Sequence, residues 1–357
     1  MRESRCVPED SPPAWAEGTV EVAGRSVVRV RTELDFRDRI GAWKARWGIG
    51  RMRYTAPPGL YAAGQPAPDS PIFVTANYKM SFDRLRAALA GRDGWILVLD
   101  THGINVWCAA GGGLFSTEEL LHRAESVRLA EVAPDGVLVL PQLGAPGVAA
   151  HEVKRATGRR VVFGPVRARD LGEFLDAGMK AAPGMRRVTF TFAERMAVAP
   201  MELVIAGKYA LPAAAGLALV SGLGKGGFSF ERVGAHGIVN AALLLAVVLI
   251  AVCGTAALLP WLPGRAFSVK GAALGLAMAA AAALIEWFRA PVFANTLTAA
   301  AWVLMMPAVA SFIALNFTGS TPYTSLSGVR KEMRIAVPLQ IAAALAGLAL
   351  FVAGRFR

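Results

Sequence analysis

WILVLDTHGINVWCAAGGG, residues 95–113, sets the fold and the chemistry of this chain together. Its first five residues, Trp95 to Leu99, form a near-continuous apolar run, which suits a strand buried on both faces of a sheet. A single cysteine then follows in a short, small-residue turn. Asn105 is a good N-cap, so the turn is expected to open one short helical segment with Cys108 at its third position and Gly111 as the glycine stop. Free backbone N–H groups and the positive end of such a turn favour negative sulfur. Ala109, Ala110 and Gly111 leave the backbone bare enough for a large flat ligand to approach. On the residues alone, a metal ligand, a nucleophile and a buried structural cysteine all remain open. The nucleophile reading wants a nearby base, and His102 comes without a triad-like order around it. Gly111 to Gly113 also resemble a phosphate-cradling loop, but neither G-x-G-x-x-G nor G-x-x-x-x-G-K-[ST] is matched.

Outward from this stretch the pattern alternates. Residues 71–76 (PIFVTA) read as a strand, 81–90 as a helix, and 116–125 as a helix opened by a Ser116–Glu119 capping box. Residues 137–140 and 161–163 read as strands, 148–157 and 168–177 as helices, and 188–192 as a last strand. Such alternation predicts an α/β domain with a mostly parallel sheet, whose ligands sit at the carboxyl ends of strands. The loops 101–113 and 141–147 (PQLGAPG) are therefore expected to share one site. Upstream, residues 1–35 form a polar tail and lead-in, alternating weakly from residue 15. Residues 31–53 are basic and tryptophan-containing. The α/β domain is assigned to residues 36–195.

Residues 200–357 belong to a different solvent. Stretches almost free of charge at about 203–220, 238–259, 266–285, 296–317 and 335–354 match the roughly 20 residues that span a bilayer, giving an all-α domain of five transmembrane helices. Lys208 and Glu286 read as interfacial charges, Lys270 interrupts the Ala-rich third stretch, and Trp261 and Trp287 stand where aromatic belts sit. The Gly222 to Gly227 cluster reads as a flexible loop between spans. The net charge of +12 carries no RNA signature or helix-turn-helix with it, so a membrane protein's basic loops explain it better than nucleic acid does. The N-terminus lacks the apolar core of a secretory signal, which places the soluble domain in the cytoplasm and the chain in the inner membrane as a multi-pass protein. With that topology Arg186, Arg187, Arg195, Arg265, Lys270, Arg330, Lys331 and Arg334 fall inside, and Lys225, Arg232, Arg289, Arg355 and Arg357 outside. The three cysteines, Cys6, Cys108 and Cys253, show no C-x-x-C spacing, so the chain is expected to build neither an iron-sulfur cluster nor a structural zinc site. Cys253 falls in a span and Cys6 in the polar tail.

The run GINVWCAAGGGLFSTEEL closely resembles the cap-helix motif of the mercury-methylating corrinoid protein family (HgcA), a membrane relative of the corrinoid iron-sulfur proteins of the acetyl-CoA pathway. VTANYKMSFD (74–83), LPQLGAPGVAAHEV (140–153), VVFGPVRARD (161–170) and NFTGSTPYTSLSGVRKEM (316–333) also look like family segments. The resemblance covers residues 34–333. It implies a Rossmann-like corrinoid-binding domain before five transmembrane helices. It further implies that Cys108 coordinates the cobalt of a cobalamin-like corrinoid on its lower face, with Asn105, Val106, Trp107, Ala109, Ala110 and Gly111 forming the capping turn. Thr75, Asn77, Gln142 and Gly144, in loops or strand ends expected to converge on Cys108, are the candidates to hold the corrinoid tail. The implied activity is a corrinoid-dependent methyltransferase, moving a methyl group from a folate-linked donor to Hg(II). A corrinoid carrier with another acceptor and a non-enzymatic membrane sensor or transporter are the rival readings. With no cluster cysteines here, the resemblance also implies a separate ferredoxin-like iron-sulfur partner. The family motif usually continues AAGKG, whereas this chain has Gly112 in place of the lysine, and Leu114 and Ser116 depart from the usual GTFGT. The segment from Tyr323 to Met333 is expected to be a loop between the last two spans, facing the same side as the corrinoid domain.

Overall fold

The computed structural model describes residues 13–288, 292–321 and 324–357, so Cys6, Arg289 and Tyr323 lie outside the described residues. The chain divides into two compact units, Met1–Val188 and Thr189–Arg357.

The first unit is built on a seven-stranded sheet of order β1-β2-β3-β5-β4-β6-β7. β4 (Ile72–Ala76), β5 (Gly94–Leu99), β6 (Leu138–Leu140) and β7 (Val161–Phe163) are mutually parallel where they pair. These are the strands expected from the sequence, and β4 and β5 are buried at every residue, as runs covered on both faces must be. Alternate residues of β5 divide between two cores. Trp95, Leu97 and Leu99 face α3 (Val106–Gly111), α4 (Thr117–Ser126), α5 (Leu129–Val132) and α6 (Ala150–Thr157). Ile96 and Val98 face α2 (Lys79–Ala88) and α7 (Leu171–Asp176). Since β5 and β6 flank β4 on opposite sides, the strand order reverses there, and a crevice opens at the carboxyl ends.

Three features depart from the sequence reading. The sheet is extended by antiparallel pairings: β1 (Ala16–Val22) and β2 (Arg25–Val30) form a hairpin, and β3 (Gly59–Ala63) runs antiparallel to β5. The hairpin turns at Ala23 and Gly24 with φ of 49° and 71°, the two positive values that a tight hairpin turn demands. The basic segment contains a helix, α1 (Phe36–Arg46), capped by Asp35 and Asp38; only Ala45 on it is buried, so no apolar stripe advertised it. The last expected strand, 188–192, is absent. Thr191 and Glu194 form a reciprocal capping box that starts α8 (Phe192–Met196) instead, and this local pairing overrides the Thr-Phe alternation.

The second unit holds α9 (Ala199–Val220), a short α10 (Phe230–Arg232) continuous with a π-type turn, then α11 (Ile238–Leu258), α12 (Phe267–Phe288), α13 (Thr296–Asn316) and α14 (Leu326–Ala353). Five helical stretches are long and apolar enough to cross a membrane. α13 is the most enclosed of them, with α12 and α14 both packed on it. The α12 contact is set by Gly271 and Gly275, one turn apart: a Cβ at Gly275 would run into the Pro307 backbone, and one at Gly271 into Ala310 O. Gly275→Leu is accordingly expected to lower the stability of the solubilised chain by about 1–3 kcal/mol or more. Gly207→Leu, at a helix position with nothing within 4 Å, should leave it unchanged in the same thermal unfolding series. The loop expected up to Met333 is helical from Leu326 onward, because Ser325 Oγ accepts the Gly328 N–H at 3.2 Å and caps α14 there.

Candidate functional site

β5 ends at Leu99, and the loop that starts at Asp100 is held by one asparagine. Asn77, at the end of β4, donates from Nδ2 to Asp100 Oδ1 at 2.9 Å, while its Oδ1 accepts the N–H groups of Thr101 at 3.2 Å and Gly103 at 2.9 Å. Ile104 N–H closes onto Thr101 O at 3.0 Å across His102 and Gly103, which have φ of 53° and 75°. This tight reversal with two left-handed residues aims the chain back over the strand end.

Asn105 then caps α3, its Oδ1 accepting the Cys108 N–H at 3.0 Å. That bond fixes which way the amide points, so Nδ2 is the group facing Cys108 Sγ at 3.5 Å. Along α3 the residues sort by face. Val106, Ala109 and Ala110 are buried in the core of the unit, whereas Trp107, Cys108 and Gly111 point outward, the spacing of a helix with one apolar side. Cys108 is exposed. The helix ends one residue later than expected: Gly111 is helical, Gly112 is the cap at φ −94°, and Gly113 takes the left-handed conformation at φ 79°.

The loop after β6 meets α3 from the side. Gln142–Gly144 form a 3-10 turn that packs on α3. Gly144 lies against the Phe115 ring, and a Cβ at Gly147 would strike the Phe115 carbonyl oxygen. Thr117 N–H donates to Gly147 O at 3.2 Å, and Thr117 Oγ1 accepts the Ala149 N–H at 2.9 Å, so the start of α4 pins this loop. Together Trp107, Gln142, Leu143, Ala145, Pro146, Val166, Arg186 and Val188 line a cavity of about 480 Å³. Gln142 Oε1 is buried there with no hydrogen-bond partner.

The structure thus brings Trp107 and Gln142 to one cavity beside the cysteine helix. Thr75 is buried within β4, Asn77 spends its side chain on the 100–103 loop, and Gly144 serves the packing of that second loop. None of these three lines the cavity. Val166 and Arg186 do line it; Val166 belongs to the 161–170 segment that carries the family resemblance, and no sequence signal marks Arg186 for this role. Glu119 also takes an unexpected part. Ser116 caps α4 as expected, but the Glu119 carboxylate reaches Asp100 N–H at 2.8 Å and Arg123, rather than returning to its own cap, and so ties α4 to the end of β5. Among the described residues no group of three or more His, Cys, Asp or Glu side chains is placed to hold a metal ion.

Residues 51–175, which contain all of these loops except Arg186 and Val188, match the family model of the CO dehydrogenase/acetyl-CoA synthase delta subunit. Over 111 residues, 30% of this chain, it is 34% identical to the acetyl-CoA decarbonylase/synthase complex subunit gamma of Archaeoglobus fulgidus. Over 121 residues, 33% of the chain, it is 34% identical to the subunit gamma of Methanopyrus kandleri, and 30% identical to that of Methanothermobacter thermautotrophicus. The matched stretches span 23–26% of the length of these relatives. The relationship to the acetyl-CoA decarbonylase/synthase subunits is therefore carried by the α/β unit around Cys108, and the family match ends before the first of the five apolar helices.

Proposed function

We propose that this chain is a membrane-anchored, corrinoid-dependent methyltransferase in which Cys108 would ligate the cobalt of a cobalamin-like cofactor. The observation that carries the reading is an exposed thiol on the outer face of α3, next in sequence to Trp107, which lines a cavity in an α/β unit related to the acetyl-CoA decarbonylase/synthase subunits. The residues fit such a group. At Gly111 and Gly113 nothing lies within 4 Å of where a Cβ would stand, which leaves room for a broad planar ligand, and the Gln142 Oε1 acceptor lacks a donor that an amide-bearing macrocycle would bring. When bound, a corrinoid supplies a cobalt centre that accepts a methyl group and hands it on.

The chain's own residues have separate tasks in this reading. Cys108 donates electron density through sulfur, and Asn105 fixes the position of that sulfur by holding the Cys108 N–H. Val106, Ala109 and Ala110 anchor the helix in the core, while Trp107 and the 142–146 loop form the cavity wall. Three cysteines cannot supply the four thiolates of a cluster, so the reductant is a separate ferredoxin-like iron-sulfur protein. The methyl donor is folate-linked, the acceptor is Hg(II), and the α/β unit lies on the cytoplasmic side of the inner membrane.

Purified full chain loaded with corrinoid is expected to retain cobalt and show a cobalt-thiolate visible spectrum. Absence of both would favour a sensor or transporter. Membranes given a methyl-folate, reductant and Hg(II) are then expected to form methylmercury; a methyl-loaded protein that yields none has another acceptor. That second reading is favoured by Gly112, where the mercury-methylating family carries lysine. The backbone there, φ −94° and ψ 0°, is one that a side chain can adopt, and Cys108 O, 3.2 Å from the new Cβ, must give by a few tenths of an ångström. Gly112→Lys is expected to change stability by no more than about 0.5 kcal/mol and to raise transfer to Hg(II), measured as methylmercury per cobalt.

A further inference from the structure

The five-helix unit contains a second cavity, larger than the one beside Cys108 and unconnected with the reading above. α12 and α14 both pack on α13, and between them lies a groove of about 1120 Å³. Its length is apolar, lined by Leu276, Val303, Leu304, Ile335, Leu339 and Ala343. One end is charged. Arg195, Arg265, Lys270 and Lys331 line it against the single carboxylate of Glu332. Two of the cations are already engaged, Arg195 on Ala256 O at 2.8 Å and Ala257 O at 3.2 Å, and Lys270 on Leu259 O at 3.0 Å and on Leu262 O at 2.5 Å. Glu332 is likewise engaged, accepting the Ser268 N–H at 2.6 Å.

A chain of hydrogen bonds runs from that end into the groove. Ser311 Oγ donates to Ser268 O at 2.8 Å, and Gln340 Nε2 donates to Ser311 Oγ at 2.7 Å. It stops at Gln340 Oε1, which is buried without a partner although the residue is only 8% exposed. Leaving a buried acceptor unpaired is costly, more so in a bilayer, where water is not at hand to satisfy it. The groove as a whole presents two demands: an apolar tail along the helices and a negative charge at the basic end.

We propose that this groove is a binding site for an acidic glycerophospholipid, its phosphate at the basic end and its acyl chains along the apolar length. Basic pockets between membrane helices hold anionic headgroups in this way. A zwitterionic lipid brings no net charge, and a free phosphate brings no tail.

The test uses the full chain, stripped of lipid in detergent, with thermal unfolding and native mass spectrometry read as lipid is added. Dioleoylphosphatidylglycerol is expected to bind about thirtyfold tighter than dioleoylphosphatidylcholine, the preference that two basic side chains, Arg265 and Lys331, confer on an anionic headgroup. Inorganic phosphate should neither bind nor stabilise. Lys331→Gln with Arg265→Gln is expected to abolish the preference between the two lipids while unfolding as the wild type does in phosphatidylcholine. Equal affinity of the wild type for the two lipids, an unchanged preference in the double variant, or stabilisation by phosphate alone would each overturn the proposal.

Discussion

Cys108→Ala is expected to abolish methyl transfer and to change the visible spectrum of the corrinoid-loaded protein, while leaving its thermal unfolding where it was. The separation follows from what the side chain touches. The capping bond of α3 uses the backbone N–H of residue 108, which alanine keeps, and the thiol itself is exposed, with Asn105 Nδ2 3.5 Å away. Alanine is also a better helix former than cysteine. Stability should therefore move by no more than about 0.5 kcal/mol. Activity should fall by more than about 100-fold, since losing even a supporting group behind a metal ligand costs 10- to 100-fold. Asn105→Asp sharpens the test. It keeps a capping oxygen for the Cys108 N–H but sets a carboxylate against sulfur where an amide N–H stood, so fold should persist while the spectrum shifts and transfer slows. If Cys108→Ala retains both the spectrum and the activity, the thiol is not the cobalt ligand and the proposed mechanism fails.

Much of this site can be read from the sequence because its determinants are local. An apolar run, an asparagine cap, small residues and a glycine stop are close in sequence, and each has a direct physical meaning for the backbone. The parallel strands are legible for the same reason: β4 and β5 are buried on both faces and carry almost no polar residue to say otherwise. The five apolar helices follow from length and composition. What depends on distant partners is harder to see. Asn77 resembles a ligand-binding residue at a strand end, yet its bonds go to a loop that begins 23 residues later. Glu119 has the right place for a capping box, but Asp100 N–H competes for its carboxylate and wins. Arg186 reaches the cavity from beyond the last strand, and nothing in its own surroundings marks it for that role. The helix α1 is the extreme case. Its polar residues gave no periodic signal, because two of its stabilising contacts are ion pairs with another helix.

Those ion pairs give the largest stability effect expected of the α/β unit. Asp38 from α1 and Asp83 from α2 share Lys79 and Arg86, so that two carboxylates and two cations alternate in a nearly closed, buried group. Arg86 donates from Nε to Asp83 Oδ1 at 2.8 Å and from Nη2 to Asp38 Oδ2 at 2.6 Å, and it also donates from Nη1 to Glu33 O at 3.1 Å and to Arg31 O. Lys79 Nζ bonds Asp38 Oδ1 at 2.9 Å and pairs with Asp83. The guanidinium is wholly buried. Arg86→Met would leave two carboxylates to one lysine and take a charged donor from two carbonyls, at a cost of about 3–5 kcal/mol, a large part of the roughly 5–15 kcal/mol that a domain has. Arg86→Lys should recover only part of this, since a point charge does not bridge both carboxylates as the planar fork does. The acid limb reports the same group. Burial pushes the Asp38 carboxyl up, but the hydrogen bonds and charges of Lys79 and Arg86 outweigh it and hold it at about 2, below the ordinary 3.8. A carboxyl lowered in the folded state stabilises fully above its unfolded value and loses that contribution as pH falls through the folded one. Wild-type stability is therefore expected to decline between about pH 4 and pH 2, and in Arg86→Met, where the folded-state value moves back toward the ordinary one, the decline should be shallower and end at higher pH. Denaturant unfolding of the full chain in detergent, followed by tryptophan fluorescence across that range, measures both. A variant within about 1 kcal/mol of the wild type at neutral pH, with the same acid limb, would show that α1 is held by something other than these charges. Because α2 begins two residues after Asn77, a network that fixes α2 also steadies the strand end from which the Cys108 loop is hung. Partial loss of the cobalt-thiolate spectrum in Arg86→Met, at temperatures below its unfolding, is the expected functional trace of that coupling.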